Sequence, residues 1–222
     1  MPVGGDGIAT DWHIVHLGSK AVGGSGLVMA EASGVSPEGR ITPSCLGIWS
    51  DAHVDALRPV TAFISSQGSV PAIQIAHAGR KASHSEPWSP LTRHLEKDEG
   101  GWQSVAPSAI AFDDTFGVPE ELTRQGIAEV TQSFADAALR SLDAGFKVIE
   151  LHFAHGYLAS SFMSPLSNLR EDEYGGSLEN RCRFALETIA AVRGAIPDSV
   201  PLFVRISASE FVEGGWDIED SV

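Results

Sequence analysis

Val148-Ile149-Glu150-Leu151-His152-Phe153-Ala154-His155-Gly156-Tyr157 decides the reading of this chain. An apolar strand runs out at a glycine turn and delivers two imidazoles and a phenol to one strand end. Barrels of alternating strands and helices keep their chemistry at such an end. Period-two alternation turns Ile149 and Leu151 toward covering helices and leaves Glu150 and His152 pointing inward. Two imidazoles three positions apart can hold a carbonyl or phenolate oxygen, and a tyrosine two residues on can deliver a proton. A zinc site is the rival reading, but zinc takes about three or four ligands and no local third ligand appears beside His152 and His155.

Working outward, apolar runs at 26–31, 70–75 and 202–206 repeat the strand signal, each followed by a helical pattern. This is βα alternation with a parallel sheet. The same alternation that fixes Glu150 and His152 turns Gln74 and Arg205 inward, so polar groups from three strands meet in an interior that normally holds Val, Ile and Leu. They form either a mutual network, with Arg205 on Glu150 or Glu31, or the wall of a planar polar ligand. Gln74 can donate and accept and Arg205 is a fixed cation, which suits the edge of a heterocycle.

Helical spacing is clearest over 123–144, where Thr123 can cap the start and Gly145 the end. A second helix starts at Ser177, carries Leu178, Cys182, Ala185, Ile189 and Val192 on its apolar stripe and ends before Gly194. Residues 11–22 and 51–66 form two more, with Pro59 expected to kink or interrupt the latter. The long connection from about 78 to 121, with Trp88 and Trp102, reads as a lid or excursion. His53 and His77 taken singly read as satisfied structural groups.

A chain of 222 residues with 43% hydrophobic content can bury one core, so residues 1–222 are read as a single domain. A formal charge of −14 argues against nucleic acid or an anionic membrane as partner. Two cysteines, Cys45 and Cys182, make no disulfide framework and fit a reducing compartment. No apolar run approaches the ~20 residues of a membrane span, and Met1 to Asp6 lacks the regions of a signal peptide, so a cytoplasmic location is expected.

Ordered motifs along the chain carry a resemblance: Asp11-Trp12-His13, Glu31-Ala32-Ser33, Gln74-Ile75-Ala76-His77-Ala78-Gly79-Arg80-Lys81, Ala106-Pro107-Ser108, His152 to Tyr157, Ser164-Pro165-Leu166-Ser167-Asn168 and Tyr174-Gly175-Gly176-Ser177-Leu178-Glu179-Asn180-Arg181. Together they resemble the Old Yellow Enzyme family, most of all its bacterial-type branch of NADPH dehydrogenases. The resemblance implies an α/β fold, a partial (β/α)8 TIM barrel of about strands two to five. It also implies FMN, with NADPH or NADH as reductant, and a substrate that is a small activated alkene, an α,β-unsaturated carbonyl or nitro compound.

In family terms His152 and His155 bind the activating oxygen, Tyr157 donates the proton or is a hydrogen-bonded wall residue, and Trp102 lines the substrate entrance or packs against the barrel rim. Ala32, Gln74, His152 and Arg205 contact the flavin, with Arg205 stabilising its anionic reduced form. Arg80 and Lys81 meet a phosphate, a partner subunit or solvent. Relatives are often dimers or tetramers, which makes a homo-oligomer an expectation. Three departures are visible. The first family strand, with its flavin-tuning residue, is not found in Met1 to Gly5, and strands six to eight are not found after Val222. Phe153 stands where a small residue is more usual, and either narrows the pocket or packs beside the strand end. The alternative reading is therefore a truncated, cofactor-free barrel fragment without activity.

Overall fold

The computed structural model describes residues 6–222. The absence of a strand or signal segment within Met1 to Gly5 concerns residues outside that span. In chain order the elements are α1 (Asp11–Val22), β1 (Leu27–Gly34), α2 (Asp51–Ser66), β2 (Val70–Ala76), β3 (Val105–Ala106), β4 (Glu120–Glu121), α3 (Arg124–Asp143), β5 (Val148–Phe153), α4 (Leu158–Met163), α5 (Leu178–Ala195), β6 (Leu202–Ile206) and α6 (Ile218–Ser221).

Four parallel strands form one sheet in the order β1-β2-β5-β6, and β3 pairs with β4 in a separate two-stranded piece. The sheet is open, a sector of a barrel and not a closed one. Its central strands are buried, with Ile73, Ile75, Ile149 and Leu151 inaccessible to solvent. They pack against α2, α3 and α5 through Leu57, Ile64, Ile127, Phe134 and Phe184, all in one apolar cluster. β6 lies at the sheet edge, and Phe203, Val204 and Ile206 remain 40–47% exposed. The expected inward turn of Arg205 therefore leads to an open face, and its side chain is exposed.

Local chemistry explains most boundaries. Thr123 accepts a hydrogen bond from Gly126 N–H and Ser177 from Asn180 N–H, fixing the starts of α3 and α5. Gly145 follows α3 with φ 98°, the left-handed conformation that stops a helix.

Three expectations are corrected. α2 runs through Pro59 without interruption because Pro59 lies on the solvent face, while Leu57, Val60, Thr61 and Ile64 hold the helix to the core. α5 continues past Gly194 to Ala195; Ile196, extended at ψ 154°, precedes Pro197, and that pair ends the helix. Leu178, in the first turn of α5, is 41% exposed and not on the buried stripe, whereas Cys182 packs against the core.

Phe153 is 1% exposed and meets Phe134 edge to face at 6.0 Å, so it is a core residue beneath α3 and not a wall of the pocket. Phe153→Ala should lower unfolding stability by about 3–5 kcal/mol in urea denaturation. A loss well under about 1 kcal/mol would place the ring outside the core.

Candidate functional site

The site stands at the C-terminal ends of β1, β2, β5 and β6. Parallel pairing sets Gln74 beside Glu150 and His152 beside Arg205, so these side chains share one face of the sheet. Gln74 Nε2 donates to Glu150 Oε1 at 2.6 Å. Glu150 is thus engaged by Gln74 and Glu31 faces His13, so the Arg205 network does not form; among the described residues no ion pair reaches Arg205.

His152 is 3% exposed, and its buried Nδ1 has no hydrogen-bond partner. Burial, with His155 and Arg205 nearby, lowers its pKa to about 4, so the imidazole is neutral near pH 7. His155 is also lowered, by burial and by Arg205 and Lys81. The two rings stand edge to face at 4.9 Å, and the Tyr157 ring lies 5.1 Å from His152 and 6.3 Å from His155. Burial raises the Tyr157 phenol above its ordinary value, keeping it protonated. Among the described residues no cluster of three or more metal-ligating side chains forms.

A left-handed turn aims these groups. His155 has φ 63° and Gly156 φ 72°, a conformation that non-glycine residues rarely adopt. Four contacts hold it: His155 N–H donates to Ser207 Oγ at 2.9 Å, Lys81 Nζ donates to His155 O at 3.1 Å, Gly156 N–H donates to Ser160 Oγ at 3.2 Å and Tyr157 N–H donates to Ala154 O at 3.3 Å. Such over-determination is what keeps a strained residue in place. Gly79, in the single turn 79–81 that presents Lys81, has φ 60°, and a Cβ there would stand 2.8 Å from Leu158 Cα.

Ala32 sits at an irregularity in β1. The register passes from Ala30 opposite Ile73 to Ser33 opposite Ile75, so β1 carries one extra residue at Glu31–Ala32. A bulge frees backbone from the ladder. Beside it, His13 Nδ1 accepts from Thr10 N–H at 3.0 Å, which leaves its proton on Nε2, 3.6 Å from Glu31 Oε1. Burial pushes the Glu31 carboxyl up, but His13 and neighbouring groups more than offset this and its pKa is lowered.

Trp102 is held elsewhere on the rim: its Nε1 donates to Glu38 O at 2.8 Å and Arg40 lies 4.7 Å above its ring, with no ring contact to His152, His155 or Tyr157. His53 is a satisfied structural group, with Nδ1 3.1 Å from Ser50 N and Nε2 2.9 Å from Asp6 O. His77 is buried beneath the 79–81 turn, accepts from Gly79 N–H through Nδ1 and has its pKa lowered to about 4 by burial, but its buried Nε2 has no partner, so it is not the satisfied group expected. Lys81 and Ser207, which fix the His155 turn, were not singled out for that role by sequence. Lys81 carried a motif signal, whereas Ser207 lies 52 residues from His155 and carried none.

The sequence pattern of the NADH:flavin oxidoreductase / NADH oxidase family matches residues 3–222, and the chain belongs to that family. It is 48% identical to an NADH:flavin oxidoreductase from Gibberella zeae, over 97% of this chain and 53% of the relative. It is also 48% identical to an NADPH dehydrogenase from Bacillus subtilis, over 98% of this chain and 59% of the relative. The chain thus spans between half and three fifths of the length of these relatives. Among solved structures, morphinone reductase aligns over 97% of this chain and 58% of its own with TM-score 0.79 and 30% identity. An old yellow enzyme homologue from Zymomonas mobilis aligns equally well, at TM-score 0.79 and 30% identity over 97% of this chain and 59% of its own. The expected family and the partial-barrel fold are both met. Among the described residues no helix is long and apolar enough to cross a membrane.

The residues present fit the family's flavin. The buried His152 Nδ1 is a polar atom the protein itself leaves unsatisfied, and it stands beside Arg205 on β6, with Gln74 on β2 and the freed backbone at Ala32 on β1 along the same strand ends. A planar ligand with ring nitrogens and carbonyls answers that set.

The lowered histidines make stability depend on pH. In the unfolded chain each ring takes a proton as pH falls below about 6.5. Folded His77 and His152 resist until about pH 4. Protons therefore favour the unfolded state over that window, and stability is lost as pH falls from 6.5 toward 4. Urea midpoints should drop across it, and His152→Gln should flatten the drop. An unaltered slope in the variant would mean that His152 is not buried as a neutral ring.

Proposed function

We propose that this chain forms the FMN- and substrate-facing part of an NAD(P)H-dependent ene-reductase acting on α,β-unsaturated carbonyl or nitro compounds. The observation that carries the reading is the neutral, buried His152 with its unpartnered nitrogen, set beside His155 and a protonated Tyr157. Gln74, His152, Arg205 and the Ala32 backbone would hold FMN. When bound, FMN supplies the two electrons that reduce the β-carbon and is recharged by NAD(P)H.

Neutral imidazole N–H groups of His152 and His155 donate to the substrate's carbonyl or nitro oxygen. That oxygen gains negative charge as the double bond is reduced, so the two donors bind the transition state more strongly than the ground state. Neutrality matters: the donors stabilise charge without surrendering a proton to the oxygen. Tyr157 keeps its proton above the ordinary phenol range and delivers it to the α-carbon. The wall formed by Phe112 and Lys81, whose Nζ lies 4.2 Å from the Phe112 ring centroid and 5.3 Å from that of Tyr157, narrows the approach to Tyr157.

His152→Ala should weaken binding of a simple phenol, read by spectral titration of the FMN-loaded protein, by about tenfold or more, the loss of one hydrogen bond to a charged oxygen. Reduction of the bound flavin by NADPH should remain within about twofold, because the mutation removes only the oxygen clamp. Equal falls in both would contradict the clamp. A protein that stays colourless after incubation with FMN would support the alternative, a cofactor-free fragment.

A further inference from the structure

Between the β1 bulge and the turn of residues 86–89 lies a cavity of about 190 Å³, walled by Ala32, Ile41, Cys45, Leu46, Pro87 and Trp88. The proposed reaction uses none of these side chains. Glu31, Thr42 and Ser44 also reach the cavity, but their polar atoms are engaged elsewhere. Ser44 Oγ donates to Glu86 Oε1 at 2.8 Å, Thr42 Oγ1 accepts from Ser44 N–H at 3.3 Å, and Glu31 Oε1 faces His13 Nε2 at 3.6 Å. What remains to meet a ligand is apolar.

The chain builds one wall with a dedicated turn. Ser89 N–H donates to Glu86 O at 2.8 Å, which closes the turn with Pro87 and Trp88 at its centre. Proline fixes the backbone at the first of these positions. The bond from Ser44 to Glu86 fastens that turn to the segment carrying Cys45 and Leu46. Trp88 is thereby set at the cavity with its indole 66% exposed, apolar surface that gains by being covered.

The cavity is continuous with the catalytic end of the sheet. Ala32, Ile41 and Cys45 also line a narrow passage that reaches Tyr157, and neither His152 nor His155 lines the cavity or the passage. A substrate with its oxygen on the two histidines and its alkene at Tyr157 has this passage open to its far end. A cavity of about 150 Å³ lined by aliphatic and aromatic side chains takes a benzene ring. The 190 Å³ here therefore holds one six-membered carbocycle. A charged substituent would shed its water and meet no free partner in this wall.

We propose that this cavity takes an uncharged aryl or cycloalkyl group carried at the end of the substrate remote from its activating oxygen, and that Trp88 sets the preference for it. The inference rests on the ene-reductase reading and narrows its substrates to activated alkenes with a bulky apolar substituent.

The test is spectral titration of the FMN-loaded protein with phenol and with 4-cyclohexylphenol, whose substituent stands opposite the oxygen. Each buried methylene is worth about a fourfold gain in affinity, of which only part is realised on binding. The wild type should therefore prefer 4-cyclohexylphenol by about tenfold or more. Trp88→Ala should cut that ratio to about twofold, and Trp88→Phe, which keeps an aromatic wall, should retain most of it. Trp88 stands outside the core, and phenol binding in each variant reports that the site is folded. A wild-type ratio near one, or a ratio unaltered in Trp88→Ala, would overturn the subsite and leave the ene-reductase reading standing. A wild type that binds neither phenol would overturn both.

Discussion

Everything at the site depends on polar side chains held on the inner face of a parallel sheet whose other positions are apolar. Such groups are costly to bury unless they are paired. The register pays once, through the 2.6 Å bond from Gln74 to Glu150 on adjacent strands. Two residues along β5, His152 meets Arg205 across the next strand pair and finds no internal partner for Nδ1. Burial and the neighbouring cation then keep that imidazole neutral. A neutral ring with a free nitrogen is a hydrogen-bonding tool held in reserve.

The second constraint is the left-handed turn that follows β5. His155 occupies a conformation that costs about 1–3 kcal/mol for a non-glycine residue, and it persists because Ser207, Lys81 and Ser160 each bind its backbone or that of Gly156. The contacts come from three separate segments, so the turn ties the end of β5 to the loop after β2 and to the segment after β6. The same turn sets the His155 ring 4.9 Å from His152 and on the wall of a cavity that Arg80 and Glu210 also line.

Much of this was legible in the sequence where the determining physics is local. The start and end of α3 follow from the Thr123 cap and Gly145, and the strand cores from runs of branched apolar residues. The inward set of Gln74, Glu150, His152 and Arg205 followed from alternation alone. Local rules failed where tertiary packing intervened. Pro59 was expected to kink or interrupt a helix that instead runs on unbroken, and Gly194 was expected to end one that Pro197 stops. The left-handed turn at His155 was illegible because its partners Ser207 and Lys81 lie 52 and 74 residues away. For Trp102 the sequence left two placements open, and the indole is fixed by Glu38 and Arg40 on the rim.

The central claim is that a neutral His152, short of a partner, faces the place where FMN binds. Nitrogen-15 NMR of the histidine side chains, recorded across pH with and without FMN, tests it directly. The account predicts that the His152 ring remains neutral at pH 6 and that its signals move on addition of FMN, while those of His53, bonded to Ser50 and Asp6, do not. A His152 ring that titrates near its ordinary value of about 6.5 and ignores FMN would contradict it.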